Sequence, residues 1–246
     1  MIIKFDHIAL YSNHLEKTRE LLKCCGYQEK FTEVNLINPE IKRTLMTDFS
    51  DLYGICYMSH EKNVDIEIVT AEVSSNNYAY LKPIIIGIEH DICIENEMGL
   101  EKSLNELIEM QPLTDNNISN FETIMCRVGS IENSILFWKL FGFVEESMPL
   151  KKSMVYKSFL PNQKGIQLVF NEVVDNKQKY HLNDIGFNCL AFITTSIDKD
   201  RNKFVKNGFR STSIEQIQIN GRLLRVCFVI GNNGELAELI ELQKES

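Results

Sequence analysis

The chain carries the same succession of apolar and polar positions three times. Each copy opens with a short strand-like run, continues with apolar residues at helix spacing, and ends at a glycine followed by an aromatic residue. Counted from His7, Thr123 and Cys189, an aliphatic residue stands at +8, the glycine at +19 and the aromatic residue at +20 in every copy. These shared offsets predict one structural unit that is repeated along the chain.

Each copy predicts a strand, a helix and three further strands. The glycine at +19 suits the position just after a helix, and a polar residue suited to cap the helix precedes it: Ser12 or Asn13, Ser130, and Ser196. Three strand-like runs follow each glycine. The predicted unit is therefore βαβββ, and the fold class is α+β.

A shortened copy lies between the first and the second complete ones. Its strand-like run, 84–94, contains His90, but Glu109 stands where a glycine is expected, and too few residues remain before Phe121 for three strands. We therefore interpret this second unit as a truncated βα unit. The polar segment 115–120 is typical of a loop, and it predicts an N-terminal domain of residues 1–118 and a C-terminal domain of residues 119–246.

Composition narrows the class of partner. The net charge of −8 argues against binding to a nucleic-acid backbone, which favours a basic surface. No apolar run is long enough to span a bilayer and the start does not resemble a signal peptide, so we expect a cytoplasmic protein with no membrane partner. The seven cysteines include no CxxC pair, and we interpret them as reduced, packed thiols. A small-molecule ligand or another protein is the expected partner.

The repeated units resemble a known family. With FDHIAL opening the first unit and NGELAELIEL closing the last, the chain resembles the vicinal-oxygen-chelate superfamily, which includes glyoxalase I, the bleomycin resistance proteins and the extradiol dioxygenases. The resemblance implies βαβββ units that pair into cupped, open mixed β-barrels. It also implies a metal in the cleft, held by residues from the first and last strands of each unit.

Carried over position by position, the resemblance identifies candidate metal ligands. The first unit has His7 and Glu67 at these sites and the truncated unit has His90, which together form a set suited to Fe, Mn, Co, Ni or Zn as a divalent ion. This set requires the truncated unit to pair beside the first. The third and fourth units have Thr123, Gln167, Cys189 and Glu238, of which only Glu238 is an ordinary ligand for such metals.

Each candidate also has a structural interpretation. His7 could be a hydrogen-bonded strand histidine, Glu67 a salt-bridged carboxylate, and Cys189 a packed thiol. Glu238 could be neutralised by Arg222 or Arg225 instead of a metal.

Three functions therefore stay open. The first is a metal-dependent lyase, isomerase or dioxygenase acting on a small oxygenated metabolite, and the second is a non-catalytic, resistance-type binder or degenerate member of the family. The third is an interaction protein that forms a homodimer through an exposed sheet edge of the truncated unit.

Overall fold

The structure is a computed structural model that describes residues 1–72, 77, 79–86, 109–111, 121–147, 152–158, 165–173 and 179–243. Its strands are β1 Ile2–Tyr11, β2 Gln28–Ile37, β3 Leu52–Ser59, β4 Ile66–Ala71, β5 Leu81–Ile86, β6 Glu109–Gln111, β7 Phe121–Val128, β8 Val144–Ser147, β9 Lys152–Tyr156, β10 Gly165–Glu172, β11 Gly186–Thr194, β12 Arg210–Ser211, β13 Glu215–Ile219, β14 Arg222–Ile230 and β15 Leu236–Leu242. Its helices are α1 Leu15–Cys24, α2 Ile131–Lys139 and α3 Ile197–Lys206, with a 3₁₀ segment at Glu40–Leu45. The predicted α+β class is confirmed.

The glycine at the end of each helix has the role that the repeat predicts. Gly26, Gly142 and Gly208 all have positive φ, at 86°, 99° and 84°. The aromatic residue after each glycine donates its backbone N–H to a carbonyl five residues earlier, as in Tyr27 to Leu22 at 3.0 Å and Phe209 to Phe204 at 3.1 Å. This bond satisfies a carbonyl at the helix end and turns the chain into the next strand.

The predicted starts of the helices are less uniform. Ser130 caps α2, because its hydroxyl accepts the backbone N–H of Asn133 at 3.4 Å. Ser196 precedes α3 without a side-chain cap. Residue His14 precedes α1, and Ser12 instead bonds the hydroxyl of Thr18 at 2.7 Å, so the predicted cap at Ser12 or Asn13 is wrong.

The strands form an open mixed sheet in which the first unit pairs with the fourth. In the described residues the order is β2-β3-β4-β1-β11-β5-β7-β10-β9-β8, with β15 beside β11 and β14 beside β15. Strand β1 runs parallel to β4 and antiparallel to β11. Among the described strands, the expected pairing of the first unit with the truncated one is not found, since β11 separates β1 from β5.

Strand β5 of the truncated unit lies inside the sheet. Strand β5 pairs with β11 on one side and β7 on the other. Its other end pairs with β6, which has no second strand partner among the described residues, so the sheet edge that the sequence suggested for a homodimer is still present there and the homodimer stays a prediction. The predicted boundary after residue 118 lies outside the described residues and stays a prediction.

An aromatic cluster fills the core beneath the helices. Phe137 and Trp138 on α2 and Phe141 just after it are buried, and the ring of Phe141 lies 4.6 Å from those of Phe192 and Phe204. The cysteines of the described part are free thiols, and Cys24 alone of these is exposed. In the part of the chain that the structure describes, no helix is long and apolar enough to cross a membrane.

Candidate metal and ligand site

Strand register makes the first and fourth units equivalent around one cleft. His7 is opposite Ala191 and Ala9 is opposite Cys189, so exchanging the two units leaves the pairing unchanged. In the same way Ala9 is beside Glu67 on β4, and Ala191 is beside Glu238 on β15. The register therefore supports the alignment by offsets, in which Cys189 corresponds to His7 and Glu238 corresponds to Glu67.

The third unit does not contribute to this cleft as the sequence suggested. Thr123 and Gln167 are neighbours on β7 and β10, where the Thr123 hydroxyl donates to Gln167 Oε1 at 3.3 Å. The register places Val169 beside Met125, so Val169, and not Gln167, occupies the position of Glu67. Thr123 and Gln167 are thus away from Cys189 and Glu238, because the third and fourth units do not pair with each other.

His7 is buried and held from one side. Its side chain is only 3% exposed, and Nδ1 donates to the Asp6 carboxylate at 3.2 Å. The other ring nitrogen, Nε2, is buried without a hydrogen-bond partner among the described residues, and it faces Glu67 Oε1 at 3.8 Å. Asp6 therefore fixes the ring so that the free nitrogen points into the cleft.

The charges around His7 favour its protonated form when no metal is bound. Burial alone would lower the pKa of His7, but Glu67, Asp6 and Glu238 outweigh it and raise the value to about 9. Burial likewise acts to raise the pKa of Asp6, and the bond to His7 together with the nearby Lys4 lowers it to about 2. The pair is thus ionised in neutral solution.

Glu238 lies in the same cleft, with Lys42 as its cationic neighbour. Burial raises the pKa of Glu238 to about 7, Lys42 opposes that rise and Glu67 adds to it. Lys42 lies on the 3₁₀ segment with its Nζ 4.3 Å from the centre of the Tyr53 ring. Burial would lower the pKa of Lys42, but Tyr53, Glu238 and Glu67 raise it.

The expected arginine partner of Glu238 is therefore wrong. Arg225 bonds Glu241 at 2.7 Å and Asp198 at 2.9 Å, while Arg222 lies exposed at the mouth of the cleft. The cations that act on Glu238 are Lys42 and, with a smaller effect, His7.

His90 lies outside the described residues, so its predicted role as a ligand stays a prediction. The register of β5, the strand before His90, nevertheless indicates which residue of the truncated unit occupies the first-strand position. Lys82 of β5 is opposite Met125, just as Cys189 is opposite Ala9, so the register gives Lys82 the first-strand position of the truncated unit.

The side chains in the cleft are of the types that bind divalent metal ions. Among the described residues, no three histidine, cysteine, aspartate or glutamate side chains are grouped closely enough to hold an ion. His7 and Glu67 are nevertheless a near pair with an unbonded imidazole nitrogen, and Glu238 offers a second carboxylate. Cys189 is a poor donor, because burial raises the pKa of its thiol well above the usual value and a ligand must be a thiolate.

The cleft has a polar side from the first unit and an apolar side from the fourth. It encloses about 370 Å³, within the range of small-molecule sites. His7, Glu67 and Tyr57 line the polar side, whereas Ile217, Leu224 and Ile240 line the apolar side. The rings of Phe31 and Tyr57 stack at 5.6 Å beside the polar side.

Sequence reasoning did not identify three of these residues. Asp6 precedes His7 directly, and an acidic neighbour of a candidate ligand was a usable signal. Tyr57 lies on β3, where alternation gave no indication that its ring packs edge-on against His7 at 5.5 Å. Lys42 belongs to an aperiodic connection between β2 and β3, so no pattern placed it in the cleft.

Comparison with known proteins supports the fold. No family model matches the sequence, and no curated protein matches it. Glyoxalase I from Zea mays matches with a TM-score of 0.61 at 13% identity, covering 97% of this chain and 92% of that one. A Bacillus subtilis subsp. subtilis str. 168 protein, assigned provisionally as a dioxygenase, matches with a TM-score of 0.57 at 10% identity, covering 98% and 85%. The chain therefore has the vicinal-oxygen-chelate fold, which confirms the resemblance at the level of fold.

Proposed function

We propose that this protein is a divalent-metal-dependent enzyme, a lyase, isomerase or dioxygenase, that acts on a small oxygenated compound in the cleft between its first and fourth units. The observation that carries the proposal is the buried, unbonded Nε2 of His7 facing Glu67 at 3.8 Å. A buried polar atom without a partner is costly. A metal ion would supply that partner.

His7 and Glu67 are the residues that would hold the ion, and Glu238, which lines the same cleft, would have to move closer to join them. Bound there, a divalent metal polarises the oxygen atoms of a ligand. Asp6 keeps Nδ1 of His7 protonated and fixes the orientation of the ring. Carboxylates beside metal-binding histidines commonly have this role. Tyr57 supports the same side of the cleft, since its hydroxyl donates to Asp65 at 3.2 Å.

Metal uptake tests this proposal. Protein stripped with a chelator and titrated with Co²⁺ should bind one equivalent and develop visible absorption bands typical of nitrogen and oxygen ligands. His7→Ala should weaken binding at least tenfold, because it removes the only nitrogen donor among the described ligands.

His14→Ala is the matched control, since His14 is exposed just before α1 and should leave the titration unchanged. Absence of Co²⁺ uptake, with no stoichiometric metal in untreated protein, would contradict the proposal.

A second candidate function is metal-independent binding of a small molecule. Lys42 favours it, because its ammonium group already supplies a positive charge beside Glu67 and Glu238. In this alternative the lysine balances the carboxylates, and no metal is needed to do so.

Lys42→Met separates the two candidates. If Lys42 merely competes with a metal for the carboxylates, its removal should strengthen Co²⁺ binding about tenfold or more, since repulsion between the two cations is lost. Lys42→Arg keeps the charge and serves as the control. If neither variant binds Co²⁺ and Lys42→Met alone loses thermal stability, the metal-independent function is favoured.

The cytoplasmic location and the homodimer stay predictions from the sequence. Neither bears on the metal titration.

A further inference from the structure

The mouth of the cleft carries two basic side chains that the floor does not balance. Lys30 of β2 and Arg222 of β14 both line the cavity and both are exposed. Two other bases near the cleft do form ion pairs, Lys4 with Asp6 at 2.6 Å and Arg225 with Glu241 at 2.7 Å. Neither Lys30 nor Arg222 forms an ion pair with any residue in the described ranges.

The backbone holds these two bases at one entrance. The turn between β13 and β14 approaches β2, where the backbone N–H of Asn220 donates to Glu33 Oε2 at 3.0 Å. Glu33 keeps its negative charge while it accepts this backbone donor, but it is not among the residues that line the cavity. The entrance is thus bordered by a lysine from the first unit and an arginine from the fourth.

Behind the entrance, the fourth unit presents an apolar wall. Ile217, Leu224 and Ile240 line it, and Ile193 and Val226 extend it inward. The carboxylates at the floor, Asp6, Glu67 and Glu238, already have Lys4, His7 and Lys42 as neighbours. Among the residues that line the cavity, the charges left without an opposite neighbour are those of Lys30 and Arg222, and they are positive in a protein whose net charge is −8.

We propose that the cleft takes an organic anion with an apolar body, of the carboxylic or sulfonic acid class, whose charged group meets Lys30 and Arg222 while its hydrocarbon part lies on the wall of the fourth unit. This inference names the ligand class of the site in the proposed function. It depends on ligand entry into that cleft and not on the metal.

Two fluorescent probes that share one apolar body test the inference. 1-Anilinonaphthalene-8-sulfonate carries a sulfonate, and N-phenyl-1-naphthylamine has the same rings without it. The sulfonate should bind with one-to-one stoichiometry and weaken as salt is added. In Lys30→Ala/Arg222→Ala its Kd should rise about three- to tenfold, the range for two exposed ion pairs, while the Kd of the neutral probe changes less than about twofold.

Two further variants control for net charge and for the wall. Lys17→Ala/Arg210→Ala removes the same charge from exposed positions outside the cavity and should leave both probes unaffected. Ile217→Thr keeps a β-branched residue in β13 and should weaken both probes alike, because it removes apolar contact only.

Three results would overturn the inference. The first is an equal loss of sulfonate affinity in Lys30→Ala/Arg222→Ala, called here the rim variant, and in the control Lys17→Ala/Arg210→Ala. The second is an unchanged Kd for the sulfonate in the rim variant, and the third is binding of both probes that Ile217→Thr does not affect. Co²⁺ titration of the rim variant keeps this failure separate from failure of the proposed function. If Co²⁺ binds normally but probe binding does not depend on the charge of the probe, only the inference of an anionic ligand is rejected. Charge-dependent probe binding without Co²⁺ uptake rejects the metal alone.

Discussion

His7 combines burial with an unbonded ring nitrogen and a stabilised positive charge. It is almost fully buried, yet one of its nitrogens has no hydrogen-bond partner among the described residues, and three carboxylates stabilise its charge. A histidine placed only for packing would gain from a partner at both nitrogens. The cost of leaving Nε2 unbonded is a reason to expect that a ligand completes the site.

The charge on His7 should be visible in the pH dependence of stability. The pKa of His7 is about 9 in the folded protein, compared with 6.5 for an unperturbed histidine such as that of the unfolded chain. The contribution of this difference to the free energy of unfolding is therefore fully present below pH 6.5 and is lost as pH rises through 9. At one and a third kcal/mol per pKa unit the loss is at most about 3 kcal/mol. Glu238 titrates in a lower window, between 4.5 and about 7.

Urea unfolding of metal-stripped protein at pH 7, 8 and 9 measures this loss. The free energy of unfolding should fall with pH in the wild type and fall much less in His7→Asn. His14→Asn should behave like the wild type, because that histidine is exposed. Equal pH slopes in all three proteins would show that His7 carries no proton linkage.

At the level of elements, local patterns predicted the structure better than the connections did. The glycine stops of α1, α2 and α3 were predictable because a helix end is fixed by a few neighbouring residues and by one positive φ. The position of Lys42 in the cleft was not predictable, because contacts with residues far away in the sequence position the 3₁₀ segment. Its Leu45 carbonyl accepts the N–H of Leu182 at 2.8 Å, and the N–H of Ile41 donates to Glu215 at 3.1 Å.

A buried carboxylate joins the third unit to the last strand of the fourth. Glu235 is 1% exposed, and its carboxylate accepts from the Ser134 hydroxyl of α2 and from both the backbone and the side chain of Asn233 at 3.0 Å. Glu235→Ala should cost about 2 to 4 kcal/mol, because it removes a satisfied buried network. Glu61→Ala, at an exposed position, should be near neutral.

Gly231 provides an independent check on this network. A Cβ at that position would lie 2.1 Å from Glu235 Oε2, so Gly231→Ala should destabilise the wild type by about 1 to 3 kcal/mol. The same change should cost less in Glu235→Ala, which removes the overlapping oxygen. Additive losses in the double variant, measured by urea unfolding, would contradict this arrangement.

At the scale of the whole molecule, the repeat predicted the units but not their partners. The local hydrophobic pattern predicts each unit. The pairing of units depends instead on which strand edges meet, and every unit has a similar edge. His7 and Glu67 were identified because they belong to one unit. Their association with Glu238 required the pairing of β1 with β11, across residues that are far apart in sequence.

This pairing predicts how the chain behaves when it is divided after residue 118. Strand β11 is buried along its whole length, and Phe187, Leu190 and Phe192 would each lose about 1.5 to 3 kcal/mol of burial if fully exposed. Residues 1–118 and 119–246 expressed separately should therefore aggregate or lack a cooperative thermal transition. Co-expressed, they should purify as one complex and recover that transition, because β1 and β11 can pair again. If both halves instead fold alone and remain apart on mixing, the two-domain division predicted from the sequence would stand, and the cleft between the first and fourth units would be wrong.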